Sequence, residues 1–110
     1  IRSVEMLRIY QVALDVARDA AAAARVIGLQ DADLARQLRR AAASVPLNLA
    51  EGAGVCGGHR RQRYMTALGS AREVLACLET GCVMGYCDGV ESDTRSRLDQ
   101  VIGTLVRIVR

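Results

Sequence analysis

Apolar residues recur at steps of three and four along almost the whole chain. Between residues 4 and 27 they fall at Leu7, Tyr10, Leu14, Ala17, Ala21, Ala24 and Ile27, the spacing that lays one stripe along an α-helix. The alanines at 21–24 favour helix, and Gly28 stands where a C′ glycine ends one. A second helix is expected over residues 31–51, opened by Asp31 as N-cap, with Leu34, Leu38, Ala41, Val45 and Leu49 as its core stripe. Beside that stripe runs a polar one, Gln37, Arg40, Ser44, Asn48 and Glu51, all on one face. If buried, its members must bond to one another or to a neighbouring helix, and Glu51 is placed to pair with an arginine such as Arg40 or Arg72. Tyr64, Leu68, Ala71, Leu75, Leu78 and Cys82 keep a 4-3-4-3-4 rhythm within a third helix over 59–86, close to a heptad seam. Leu98, Val101, Ile102, Leu105, Ile108 and Val109 form the apolar face of a fourth over 92–110. Four helices with short connections predict one all-α domain over residues 1–110, an antiparallel up-down-up-down four-helix bundle.

Two features strain this pattern. Pro46 falls inside the second helix, where it removes a donor and crowds the carbonyl of Ala42, at a cost of about 3 kcal/mol if nothing compensates. A kink at Pro46 is expected, with Ser44 or Asn48 bonding the freed carbonyl. The alternative is a break, with Pro46 opening a short new helix. Gly69, Gly81 and Gly85 interrupt the third helix, each costing about 1 kcal/mol against alanine. Close approach of a neighbouring helix is the simplest reason for them.

Composition agrees with helices. The chain has 110 residues, 51% apolar, with one proline, three tyrosines and neither Phe nor Trp. That suits a helical bundle and argues against disorder or a sheet. Every basic side chain except His59 is arginine, and the net charge of +3 is unevenly spread. Residues 36–72 carry seven arginines against the single acid Glu51, net +6, while the rest is net −3. A local excess of this kind is the footprint of a polyanion contact, or of a solvated or subunit-facing patch. Arg60, Arg61 and Arg63 stand at the start of the third helix, where cations oppose the helix dipole. Together with free N–H groups they could hold a phosphate. With Arg36, Arg39 and Arg40 they make the candidate nucleic-acid set. The alternative is that they pair with acids of another subunit.

Catalytic chemistry finds little support. Gly52-Ala53-Gly54-Val55-Cys56-Gly57 spells the G-x-G-x-x-G fingerprint, with Glu73 downstream. A dinucleotide site needs a buried strand before those glycines, and helical pattern precedes them here. Gly52 is therefore expected as the stop of the second helix, and Gly52–Gly58 as a loop. Cys56, Cys77, Cys82 and Cys87 form no C-x-x-C pair, and His59 is the single histidine, so no zinc pattern exists. Cys77 and Cys82 fall in the expected third helix and Cys87 one residue past its end; residues five apart on a helix point about 140° apart. They read as small buried hydrophobes of a reducing cytosol. His59 reads as a surface or cap residue, and a flexible loop shared with Cys56 does not orient a base. No apolar run reaches membrane-spanning length. The expectation is a cytoplasmic protein with no catalytic residue, no metal, no cofactor and no membrane contact.

The segments QLRRAAASVPLNLAEG (37–52) and YMTALGSAREVLACLETG (64–81) resemble the four-helix bundle proteins encoded within intervening sequences of bacterial 23S ribosomal RNA genes. That family includes the accessory variability determinant of diversity-generating retroelements. The resemblance spans essentially the whole chain and is sharpest at Ser44, Pro46, Asn48, Glu51 and Gly52, and at Gly69, Ser70 and Glu73. The chain departs from the family at Leu68, where a basic residue is common, and in the glycine-rich stretch after Gly52. The resemblance implies a non-enzymatic bundle assembled as a barrel-like homopentamer. In the retroelement branch it implies a basic protein working with a reverse transcriptase and its structured RNA template. The expected role is thus an accessory protein contacting structured RNA or a nucleoprotein partner, or alternatively a protein–protein scaffold that binds no nucleic acid.

Overall fold

The computed structural model describes residues 3–110 and is built from four α-helices: α1 (Ser3–Ile27), α2 (Ala32–Ala53), α3 (Gly57–Val83) and α4 (Ser92–Val109). No strand occurs among the described residues. Asp31 opens α2 as its residue type predicts, its carboxylate accepting the Leu34 N–H at 2.9 Å and so satisfying one of the helix's orphan donors. α2 packs against α1 and α3, and α4 against the same two, so α2 and α4 occupy opposite corners. Polar pairs mark the seams. Glu5 meets Arg107 at one end of α1 and α4, while Asp19 meets Thr94 and Arg97 farther along. Gln37, Ser44 and Glu51 of α2 meet Glu73, Ser70 and Arg63 of α3 in turn. In both seams the residue number rises on one helix as it falls on the other.

The core divides into two stacked clusters. One joins Val16, Ala20, Ala24 and Ile27 to Leu38, Val74, Leu78 and Leu98. The other joins Ile9 and Ala13 to Val45, Leu49, Tyr64, Ala67, Leu68, Val101 and Leu105. The inward stripe of α1 is therefore Ile9, Ala13, Val16, Ala20, Ala24 and Ile27. Only Ala24 and Ile27 belong to the stripe expected from the sequence. Leu7 is 62% exposed and Leu14 39%. α1 carries two apolar stripes of the same period, and period alone does not say which one faces in.

α2 runs unbroken through Pro46 and Gly52 to Ala53. No new helix opens at Pro46, and Gly52 is not the stop. Asn48 Nδ2 donates to Ser44, to its carbonyl at 2.9 Å and its hydroxyl at 3.0 Å. It does not donate to Ala42, whose helical donor Pro46 lacks. The side-chain bond falls one half-turn past the carbonyl it was expected to serve. Gly52 is buried because the Tyr64 ring lies against it: a Cβ there would sit 2.8 Å from Cδ1 and overlap Cε1. The connection to α3 shrinks to residues 54–56.

α3 ends at Val83, short of the expected Tyr86. Gly85 takes φ +81°, the Tyr86 N–H bonds the Gly81 carbonyl at 2.8 Å, and the Gly85 N–H bonds the Cys82 carbonyl at 3.0 Å. This is a Schellman cap, so Gly85 closes the helix and has nothing within 4 Å of its added Cβ. Gly81 does serve close approach, since a Cβ there would lie 3.0 Å from Ile27 Cδ1. Gly69 faces open space. Among the cysteines only Cys77 is buried; Cys82 and Cys87 are half-buried and Cys56 is exposed. Cys87 lies four residues past the end of α3.

Candidate functional site

The arginines at the start of α3 oppose their own helix dipole, and the fold supplies the reason they are there. Arg60 Nε donates to the Gly52 and Val55 carbonyls at 3.2 and 2.8 Å. Arg61 donates twice to the Val109 carbonyl, from Nε at 3.0 Å and Nη2 at 2.7 Å. The Gly52 and Val109 carbonyls lie at the C-terminal ends of α2 and α4, the negative poles of those dipoles, where a guanidinium is favoured, and Val55 lies just past α2. Arg63 pairs with Glu51 at 2.9 Å. Glu51 thus takes neither Arg40 nor Arg72, because the α2–α3 register sets it opposite Arg63. All three arginines of the cluster are engaged within the subunit.

The α2 arginines differ. Arg36 pairs with Asp33 at 2.8 Å, both side chains largely exposed, a geometry of little energetic weight. Arg39 and Arg40 are exposed and have no acidic partner among the described residues. The three fall within about 100° of one another around α2. The structure therefore separates the six candidate arginines into two groups, one that caps and pairs, and one that faces solvent.

The motif residues converge on the α2–α3 seam. Ser70 donates to Ser44 at 2.7 Å, and Ser44 accepts in turn from Asn48. Gln37 donates to Glu73 at 3.2 Å. Gln37, Arg40, Ser44, Ser70 and Glu73 line a cavity of about 390 Å³ between the helices. Glu51–Arg63 and Gly52–Tyr64 continue the same seam toward the α2–α3 connection. Pro46 is buried on the core side of α2, whereas Gly69 is exposed beside Ser70. Leu68 is buried in the core.

Three features escaped the sequence pattern. The first is the capping work of Arg60 and Arg61, which depends on which helix ends lie nearby. The second is Asp19, which accepts from Thr94 Oγ1 at 3.0 Å and Arg97 at 2.7 Å with only 19% of its side chain exposed. That bond, with the Asp19 charge next, pushes the Arg97 guanidinium further up. The third is a set of exposed leucines. Leu7 and Leu14 of α1 and Leu47 of α2 stay exposed, and Leu7, Tyr10, Ala50 and Ala53 line a cavity of about 450 Å³ between the two helices. Repetition of the apolar period in α1 was the available signal.

His59 and Cys56 are exposed, and Cys56 at the N-cap of α3 makes no side-chain capping bond. Among the described residues no group of three or more His, Cys, Asp or Glu is placed to hold a metal ion. No described helix is long and apolar enough to cross a membrane. Burial, with the Glu73 charge next, pushes the Cys77 thiol up.

A family model described as 23S rRNA-intervening sequence protein matches residues 5–107. No curated protein and no solved structure matches the chain.

Proposed function

The chain belongs to the 23S rRNA-intervening sequence protein family, and we propose that it is a non-enzymatic, homo-oligomeric accessory protein that contacts structured RNA or a nucleoprotein partner. The observation that carries this reading is the exposed Arg39–Arg40 pair, two cations that form no ion pair among the described residues. Arg36 adds a third guanidinium on the same side of α2. Guanidinium groups match phosphate geometry, and each one that neutralises a phosphate releases a counterion. The largely apolar cavity lined by exposed Leu7 with Tyr10, Ala50 and Ala53 supports assembly, since contiguous apolar surface marks interaction sites. The family resemblance implies a pentamer, and five copies of a +3 chain would carry about +15. In the retroelement branch the partner would be a reverse transcriptase with its RNA template.

The test is filter binding to a structured RNA hairpin over a range of salt. Binding should weaken steeply with salt, and Arg39→Glu with Arg40→Glu should lower affinity at least about tenfold and flatten the salt slope. Salt-independent binding, or binding indifferent to that double reversal, overturns the reading. Arg60, Arg61 and Arg63 are poorer test positions because changing them also removes helix caps and an ion pair.

A second reading is favoured by those same engaged arginines: a protein–protein scaffold in the same cytoplasmic setting that binds no nucleic acid. It predicts a stable oligomer that retains no hairpin RNA at any salt.

A further inference from the structure

Cys82 and Cys87 are five residues apart, and on a continuous helix their side chains would diverge by about 140°. The fold prevents that divergence. α3 ends between them, and the Schellman cap at Gly85 folds the chain back over the last turn. The two sulfurs come within 3.4 Å of each other. Cys87 Sγ also lies 3.6 Å from the position a Gly81 Cβ would take, so the missing side chain at Gly81 makes room for it. Cys56 is exposed beyond the other end of α3, and Cys77 is buried in the core. The pairing is therefore local and unambiguous.

Access differs between the two thiols. Cys87 lines an open cavity of about 510 Å³ with Asp19, Tyr86, Asp88, Glu91 and Thr94, whereas Cys82 does not line it. Burial, then the hydrogen bond to Cys87, push the Cys82 thiol up. Bonded sulfurs lie about 2.05 Å apart, so closure needs an approach of roughly 1.4 Å. The approach falls to Cys87, which lies in the non-helical connection between α3 and α4.

We propose that Cys82 and Cys87 are a reversible redox pair, whose intramolecular disulfide pins the α3–α4 connection to the end of α3. The oxidant class is a low-molecular-weight disulfide such as oxidised glutathione. Cys87 loses its proton to solvent, and its thiolate attacks one sulfur of the reagent, forming a mixed disulfide and releasing one glutathione thiolate. Cys82, deprotonated in turn, attacks the Cys87 sulfur and expels the second glutathione thiolate. The protein gives up two electrons and two protons, and the reagent becomes two thiols. Excess dithiol reverses both steps.

The experiment treats the full chain, carrying Cys56→Ser to exclude links between chains, with oxidised glutathione. Intact mass, peptide mapping and amide hydrogen exchange are then read. The expected product is lighter by two hydrogens, links Cys82 to Cys87, still alkylates at Cys77 once unfolded, and returns to the starting mass with dithiothreitol. Exchange across residues 84–91 should slow at least several-fold. Cys82→Ala should stop at glutathione attached to Cys87. A wild-type pair that stops at a stable mixed disulfide overturns the proposal, as does one that does not react or that closes without slowing exchange over 84–91.

Discussion

At the scale of single residues, packing assigns roles that residue type leaves open. Gly52 looks like a helix stop, yet it sits inside α2 because the Tyr64 ring occupies the space a Cβ would need. Gly52→Ala should therefore destabilise the protein by about 1–3 kcal/mol through overpacking, read by chemical denaturation. Tyr64→Leu in the same background should return part of that loss, a coupling that a double-mutant cycle measures. Without Tyr64 an alanine there should be neutral or better, since glycine is the poorer helix former. Gly85 is the reverse case: it was legible as glycine in a helical pattern, but its φ of +81° makes it the cap.

Among the helices, the arginines of α3 give a prediction whose sign separates two accounts. If Arg61 acted only on its own helix, removing a cation from that N-terminus would stabilise α3 by about 0.3–1 kcal/mol. Because Arg61 instead bonds the Val109 carbonyl twice, Arg61→Gln should destabilise the bundle by about 1 kcal/mol. Arg60→Gln should act likewise at the end of α2. Urea denaturation of each variant reads the sign directly. Helix existence, the Asp31 cap and the core face of α2 were readable from the chain, because period and cap chemistry are local. The end of α3 was not, because Leu75, Leu78 and Cys82 continue the rhythm right up to a turn that glycine geometry imposes.

For the molecule as a whole, the proposed assembly can be tested at the exposed apolar side chains. The second stripe of α1 matters most here. It follows helical period as well as the buried stripe does, yet Leu7 remains 62% exposed, with Leu47 of α2 equally so. Leu7→Glu with Leu47→Glu should leave subunit stability within about 0.5 kcal/mol, as exposed substitutions do. The same pair should lower the solution mass toward that of a single chain if these leucines are covered by neighbouring copies. Multi-angle light scattering checks the mass; an unchanged mass at unchanged stability excludes them from the subunit interface.

Four helices, their approximate limits, the core faces of α2 and α4, and the family motif follow from local period, caps and residue type; the expected face of α3 holds at Tyr64, Leu68, Ala71 and Leu78 but not at Leu75 and Cys82, which are only half-buried. The sequence also located the basic excess in residues 36–72. Which stripe of α1 is inside, which arginines cap neighbouring helices, which face solvent, and that Cys87 meets Cys82 follow from the packed fold alone. Each of these depends on what lies across a helix interface. Spacing along the chain carries the direction of a side chain but not the identity of what it meets.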